Sequence, residues 1–504
     1  MTGSAPVAGR DHGLVDIAII GGGINGAGIA RDAAGRGLKV LLCEKGDFAE
    51  GTSSRSGKLV HGGLRYLEYY EFRLVREALI EREVLLASAP HIIWPMRFVL
   101  PHSPEQRPAW LVRAGLFLYD HLGGRKQLPA SRSLDLARAP EGTALRPEFR
   151  RGFEYSDCWV DDARLVILNL IDAFTHGALI LPRTRAERAR RTGDIWRLEM
   201  RGEDGGAQVV QARALVNAAG PWVQDVVQDV AQLKSAHNVR LVKGSHIVVP
   251  KFWEGPHAYL LQNDDRRVIF VNPYEGDLAL IGTTDIPYAG RAEDVAIDDA
   301  EIDYLLGVLR RYMRTPPAAR DIVDAFSGVR PLYDDNAENP SAVTRDYVFE
   351  IDGDPGMPPL LSIFGGKITT YRKLAEHALG RLAPWFSQMA PAWTAGAPLP
   401  GGDIGGTFSD FAARLQRDYS ELPNALLLHY ARLYGTRARD LLGAARTIAD
   451  LGRHFGGSLY EREASYLRDA EWATTAADIL DRRTKHGLHL APVQRAAFEA
   501  SIGK

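Results

Sequence analysis

Residues 15–44 read VDIAIIGGGINGAGIARDAAGRGLKVLLCE. The apolar run 15–20 predicts a buried strand, and Gly21, Gly23 and Gly26 then supply the spacing G-x-G-x-x-G. Small residues over 27–37 predict a tightly packed helix, and the run 38–43 a second strand that ends at Glu44. Each part has a physical task. Gly21 permits a tight turn, Gly23 lets the backbone approach a pyrophosphate, and Gly26 lets helix and strand pack closely. The helix start presents N–H groups and a partial positive charge to phosphates. Glu44 can accept hydrogen bonds from an adenosine ribose. A glycine-rich turn in an ordinary α/β unit is the alternative, and the complete order of strand, turn, helix, strand and acid argues against it.

Working outward, a chain of 504 residues points to roughly three domains. With 45% hydrophobic and 25% charged residues, the composition is that of a globular protein with a large core. A net charge of -2 gives no reason to expect nucleic acid. Two cysteines, Cys43 and Cys158, exclude a disulfide scaffold and a cysteine-rich metal site, and they fit a reducing, cytoplasmic compartment. Residues 1–13 are small and polar and read as a disordered leader. No run has the apolar length of a membrane-spanning helix, so the chain is expected not to cross a bilayer, while it can lie on one.

Further along, a polar loop (50–58) leads to Leu59-Val60-His61-Gly62-Gly63-Leu64-Arg65-Tyr66, and a helix is predicted over 71–87. Residues 109–123 are apolar and aromatic with Arg107, Arg113, Arg125 and Lys126 around them, which suits a membrane interface or an ordinary core or subunit-contact helix. A helix is predicted over 161–174, strands over 196–200 and 208–216, and a close cofactor approach at 217–222. Strand-like runs between 239 and 286 predict a mostly antiparallel substrate region. A strand over 360–364 runs into Gly365-Gly366-Lys367 and a further helix; 398–407 reads as a linker, and 408–504 as helical throughout. The expected organisation is α/β. A Rossmann-like cofactor domain (about 14–90, 150–235 and 325–395) interleaves with an antiparallel β-rich substrate domain (about 91–149 and 236–324), and a C-terminal helical domain covers 401–504.

The early position of the fingerprint means that distant segments must complete its sheet. That suits an extended, permanently held flavin better than an exchanging nicotinamide. Gly365-Gly366 makes a second N–H-rich helix start, able to stabilise negative charge on a reduced flavin ring. His61, Arg65, Tyr66, Arg330, Lys367 and Thr369 come from three remote places, each beside a glycine-rich turn. If the turns converge, so do three cations and a base, a cluster suited to a small phosphorylated alcohol. Taken singly, Arg65 and Arg330 read equally well as structural ion-pair members, His61 as a satisfied turn residue and Tyr66 as core.

Several longer stretches carry a resemblance: IGGGINGAGIARDAAGRG (20–37), KLVHGGLRYLE (58–68), GFEYSDCWVDDARL (152–165), KGSHIVVP (243–250), IGTTD (281–285), SGVRP (327–331) and FGGKITTYRKLAE (364–376). The chain resembles the aerobic, respiratory, FAD-dependent glycerol-3-phosphate dehydrogenase family. The resemblance implies a glutathione-reductase-type fold, non-covalent FAD, and oxidation of sn-glycerol 3-phosphate to dihydroxyacetone phosphate by hydride transfer to flavin N5. It also implies electron delivery to membrane quinone, peripheral attachment to the cytoplasmic face of the membrane, and a homodimer. Carried onto this sequence, it puts Gly21, Gly23, Ile24, Asn25, Gly26, Glu44, Thr52, Ser53, Ser54, Lys58, Leu59, His61, Ala186, Ala219, Gly220, Gly366, Lys367 and Thr369 at the cofactor. By the same resemblance Arg65, Tyr66, Arg330, Lys367 and Thr369 surround the substrate, with His61 near the flavin. The catalytic candidates are His61, Arg330 and Lys367: His61 serves as general base, since an ordinary imidazole titrates near working pH, or Arg330 or Lys367 steers the alkoxide without a classical base. One departure is the loop Ser54-Arg55-Ser56-Gly57-Lys58, where Arg55 and Gly57 replace expected small polar residues. An oxygen-using oxidase, an amine or amino-acid oxidase, and a flavin-bearing sensor are the competing readings.

Overall fold

The computed structural model describes residues 10–235, 237–265, 267–333, 346–354 and 356–502. Residues 1–9 of the expected leader lie outside this range, and residues 10–13 open the first strand. That strand, Arg10–Ile20, sits at the centre of a sheet. It pairs in parallel with Val40–Cys43 on one side and Ala207–Asn217 on the other. Leu360–Phe364 adds in parallel beside Ala207–Asn217, and Leu179–Leu181 beside Val40–Cys43. Val348–Asp352 closes one edge antiparallel, while the hairpin strands Thr184–Thr192 and Ile195–Gly202 attach to Ala207–Asn217. Both faces of the parallel strands are covered, which is why Ile17, Ala18, Ile19, Leu41 and Leu42 form uninterrupted apolar runs with no exposed surface.

The register decides where a ligand can bind. Ile20 lies opposite both Cys43 and Asn217, and Asn217 opposite Ser362. Four parallel strands therefore end at one level, and the loops after them leave the same edge. Over the sheet lies the helix Ile24–Gly35, packed against the helices Asp162–Thr175 and Tyr371–Leu382. Its small residues make that packing possible: a Cβ on Gly28 would stand 2.7 Å from the Tyr371 ring, and one on Gly35 2.1 Å from Trp393.

The second sheet is mostly antiparallel and runs in the order Ile286–Pro287, Val239–Pro250, Leu278–Gly282, Val268–Tyr274, Ala258–Gln262, Ile93–His102, Arg151–Val160 and Leu59–Val60. Asp324–Tyr333 lies antiparallel along Val239–Pro250. The helix Asp299–Tyr312 covers one face through Leu305, Leu306, Val308 and Leu309, and a reciprocal cap between Asp298 and Glu301 fixes its start. The expected division between cofactor and substrate segments is crossed here. Leu59–Val60, Arg151–Val160 and most of Asp324–Tyr333 belong by number to cofactor segments, yet all pair into this second sheet. Apolar runs declare strands without declaring which sheet receives them.

The tail is not helical throughout. Between helices it carries a small antiparallel pair, His454–Gly456 with Leu459–Tyr460. Its own core gathers Leu415, Leu427, Tyr430, Tyr434, Leu467, Ile479 and Phe498. It grips the first half of the chain through buried charges. Arg483 places two nitrogens on Asp47 at 2.7 and 2.8 Å, Arg482 joins the same carboxylate at 2.6 Å, and Lys485 reaches Asp161 at 2.5 Å. Arg164 forms a further buried pair with Glu471. Asp47 follows Glu44 by three residues, so the tail holds the loop after the second strand of the fingerprint. Replacing Asp47 by Ala strands the fully buried Arg483 guanidinium, at a cost of about 3–5 kcal/mol. The expected outcome is a drop of several degrees in the melting temperature; an unchanged melting temperature would show that the pair does not anchor the tail.

Candidate active site

The turn Gly21–Gly23 leaves the sheet where the strand register dictates. Gly21 has φ of +115°, and a Cβ there would lie 2.5 Å from the Ala218 carbonyl oxygen. A Cβ on Gly26 would lie 2.0 Å from the Gly21 oxygen, so Gly26 acts through packing alone. The helix Ile24–Gly35 begins without a side-chain cap of its own, and the Ile24 N–H donates to Ser53 Oγ at 3.0 Å. Glu44 is fixed by two backbone N–H donors, Gly22 at 2.7 Å and Gly46 at 2.9 Å; burial pushes its carboxyl up.

A cavity of about 1180 Å³ extends from this turn to the second sheet. Drug-sized sites run to about 1,000 Å³, so a long cofactor and a small substrate have room together. The first glycine turn and its neighbours contribute Gly21, Gly23, Ile24, Asn25, Glu44, Ala186, Ala219 and Gly220 to its lining. Thr52, Ser53, Leu59, His61, Arg65, Tyr66, Arg330, Gly366, Lys367 and Thr369 line it as well. The two glycine turns are tied by Asn25, whose Nδ2 donates to the Gly365 carbonyl at 3.1 Å. Gly365 and Gly366 have φ of +82° and +101°, and a Cβ on Gly366 would meet Asn25 Nδ2 at 2.8 Å. Asn25 Oδ1 is buried beside this wall with no hydrogen-bond partner. A helix start without a cap of its own, a positioned ribose acceptor, glycines that admit no side chain, and an orphaned amide oxygen together fit a dinucleotide flavin.

The three remote segments do converge. The backbone N–H of His61 donates to Thr369 Oγ1 at 3.2 Å, joining the first segment to the last. The Lys367 ammonium stands 4.1 Å from the centroid of the Tyr66 ring. Arg330 enters from the strand Asp324–Tyr333, and its Nη2 donates to the Thr284 carbonyl at 3.0 Å and to Asp285 Oδ1 at 2.5 Å. The ion-pair reading of Arg330 is met, since Asp285 holds one edge of the guanidinium, and the residue also lines the cavity. Gly244 is needed beside it, since a Cβ there would lie 3.0 Å from Arg330 Nη2.

Three expected cofactor residues stand outside the lining. Besides Gly26 they are Ser54 and Lys58, and the Lys58 ammonium is buried on Asp162 Oδ1 at 2.8 Å and the Ser54 carbonyl at 3.2 Å. Lys58 braces the loop from behind instead of facing the cofactor. Arg55 packs over Gly328 and donates to the Ser327 carbonyl at 3.4 Å. Site residues not singled out from the sequence are His246, Thr283 and Asp285, all on the cavity wall. They lie within KGSHIVVP and IGTTD, stretches that carried the resemblance without a residue-level reason. The His246 ring stacks on Phe326 at 5.0 Å, and the bare Gly282 makes space for it.

Comparisons with known proteins agree with this geometry. Residues 16–372 match the family described as FAD dependent oxidoreductase, and residues 392–501 match the C-terminal domain of alpha-glycerophosphate oxidase. A Brucella abortus (strain 2308) protein named D-erythritol 1-phosphate dehydrogenase is 63% identical over 96% of this chain and 96% of its own. The aerobic glycerol-3-phosphate dehydrogenase of Escherichia coli (strain K12) is 54% identical over 95% of this chain and 96% of its own. Among solved structures, the glycerol-3-phosphate dehydrogenase of Bacillus halodurans complexed with FAD superposes with a TM-score of 0.76, at 26% identity, over 97% of this chain and 94% of its own. The chain belongs to the FAD-dependent glycerol-3-phosphate dehydrogenase family, and FAD is its cofactor.

Proposed function

We propose that this enzyme oxidises the secondary alcohol of sn-glycerol 3-phosphate to the ketone of dihydroxyacetone phosphate. The observation that carries this reading is that Arg65, Arg330 and Lys367, from three remote segments, all line the FAD cavity and offer it three cations. FAD, held along the Gly21–Gly23 turn, Glu44, Ala219 and Gly366, supplies a two-electron acceptor when bound. Arg330, steadied by Asp285, and Arg65 take the phosphate, and Lys367 over the Tyr66 ring orients the C2 oxygen.

The C2 hydroxyl must give up its proton as the carbonyl forms. Two histidines line the cavity. Burial, with Lys58 and Arg330 adding to it, pushes His246 down to about 3, which makes it a poor base at neutral pH and a neutral hydrogen-bonding group instead. His61, held at its backbone by Thr369, is left as the proton acceptor.

A second reading rests on the Brucella abortus relative: the substrate is a four-carbon polyol phosphate, D-erythritol 1-phosphate. The same cations would serve it. Electron delivery to membrane quinone, attachment to the cytoplasmic face of the membrane and a homodimer complete the proposal. Membrane attachment is supported by an apolar surface. The helix Ala109–Leu122 buries Leu116 and Tyr119 but leaves Trp110 72% and Phe117 58% exposed, and Tyr70 nearby is 80% exposed. Among the described residues no helix is long and apolar enough to cross a membrane.

Steady-state kinetics with a soluble dye acceptor test the substrate. Glycerol 3-phosphate should turn over with kcat/KM at least tenfold above erythritol 1-phosphate. The reverse order replaces the first reading by the second, and no turnover of either rejects both. Arg330→Ala should raise KM by about 10- to 150-fold, from a charged contact of about 1.5–3 kcal/mol. His61→Asn should lower kcat by about 10²-fold or more with flavin retained. For the membrane, a Trp110→Ser/Phe117→Ser variant should lose binding to anionic vesicles and keep its dye-linked kcat; vesicle binding equal to the parent's would place the contact elsewhere. Light scattering after size exclusion reads the dimer directly.

A further inference from the structure

The C-terminal part of the chain holds a cluster that the oxidation does not use. His429 on the helix Asn424–Tyr434, Glu463 on the helix Glu461–Ala470, and His486 at the start of the turn His486–Leu488 bring one ligand atom each to within 4.8 Å of one another. Glu463 has no exposed surface and His486 is 4% exposed. Among the described residues no other group of His, Cys, Asp and Glu meets this spacing.

From this geometry we infer that His429, Glu463 and His486 form a binding site for a divalent transition metal, zinc being the best match, which staples the C-terminal domain. Zinc bonds of about 2.0–2.1 Å in tetrahedral array separate neighbouring ligand atoms by about 3.3 Å. His486 Nε2 stands 3.0 Å from Glu463 Oε2, close to one such edge, and His429 Nε2 stands 3.5 Å from the other oxygen of the same carboxylate, Oε1. The two imidazole rings are 4.8 Å apart between centroids, and the three ligand atoms lie within 4.8 Å of one another, so metal binding would draw them inward.

A second observation points to an occupant. His429 Nε2 is buried, and its approach to Glu463 Oε1 at 3.5 Å is too long for a good hydrogen bond. A metal between them would give that nitrogen a full bond. The Tyr434 hydroxyl donates to Glu463 Oε1 at 2.7 Å and so orients the carboxylate, as groups behind a metal ligand do. Two imidazoles and one carboxylate favour zinc over magnesium or calcium, which prefer all-oxygen shells. Three protein ligands leave a fourth position for water.

The location gives the site a purpose. None of the three residues lines the FAD cavity, so the metal takes no part in the oxidation. His486 follows Arg483 and Lys485, which hold Asp47 and Asp161 of the cofactor-binding half. A metal there would fix two helices to the turn that carries those cations.

The test uses the tag-free holoenzyme, equilibrated with zinc chloride, freed of unbound metal and analysed by elemental mass spectrometry. The expected result is one zinc per chain, and a melting temperature higher by about 3–8 °C with zinc at 100-fold over its dissociation constant. His429→Ala, at a partly exposed position, should fold, keep FAD, and lose both the bound zinc and the shift. His486→Ala should behave likewise. A parent enzyme that retains no stoichiometric zinc, or that retains magnesium or calcium in its place, overturns the inference, and so does a His429→Ala variant that holds as much zinc as the parent. These readouts are independent of turnover and stand apart from the proposed substrate.

Discussion

Four parallel strands ending at one level are the constraint on which the rest of this protein depends. Ile20, Cys43, Asn217 and Ser362 share a row because continuous apolar runs are buried in register, and the loop after each strand must emerge at the same edge. The glycine turn, Glu44, Ala219-Gly220 and Gly365-Gly366 become neighbours for that reason alone, although up to about 340 residues separate them. The hydrogen bond from Asn25 to the Gly365 carbonyl locks the two glycine turns to each other. Chemistry is added from outside this sheet: strands of the second sheet deliver Arg330 and His246 to the cavity, and the loop after Leu278–Gly282 delivers Asp285.

Sequence and structure agree best where a residue's role follows from local geometry. Gly21 and Gly26 are legible because a turn and a close approach tolerate nothing larger, and the structure shows carbonyl oxygens where their Cβ atoms would be. Glu44 is legible because it ends a strand that must lie beside the first. Lys58 shows the limit of such reading. A lysine in a polar loop beside a flavin site looks like a ligand, yet a buried carboxylate, Asp162, captures its ammonium, and that partner is 104 residues away. His246 is illegible for the converse reason: within an apolar strand nothing local distinguishes a histidine that faces a cavity from one that packs in a core. Sheet membership was equally hidden, since Arg151–Val160 reads as a buried strand whichever sheet receives it.

The tail illustrates a different gap. Its helices were visible from sequence, while its attachment was not, because ion pairs between Asp47 and Arg483 or between Arg164 and Glu471 bridge hundreds of residues. Buried charge pairs contribute modest net stability but heavily penalise their own disruption, so they set where a domain docks more than how firmly it folds. Here they fix the tail against the loop that follows Glu44.

The central claim is that segments around residues 61–66, 330 and 367 meet at one flavin and present their cations to a phosphate. Its most direct measurement is the flavin absorbance of the oxygen-free holoenzyme as ligand is added. Glycerol 3-phosphate should bleach the visible band at concentrations where glycerol, which lacks the phosphate, leaves it untouched. Equal bleaching by the two compounds, or none by the phosphate ester, would contradict the account.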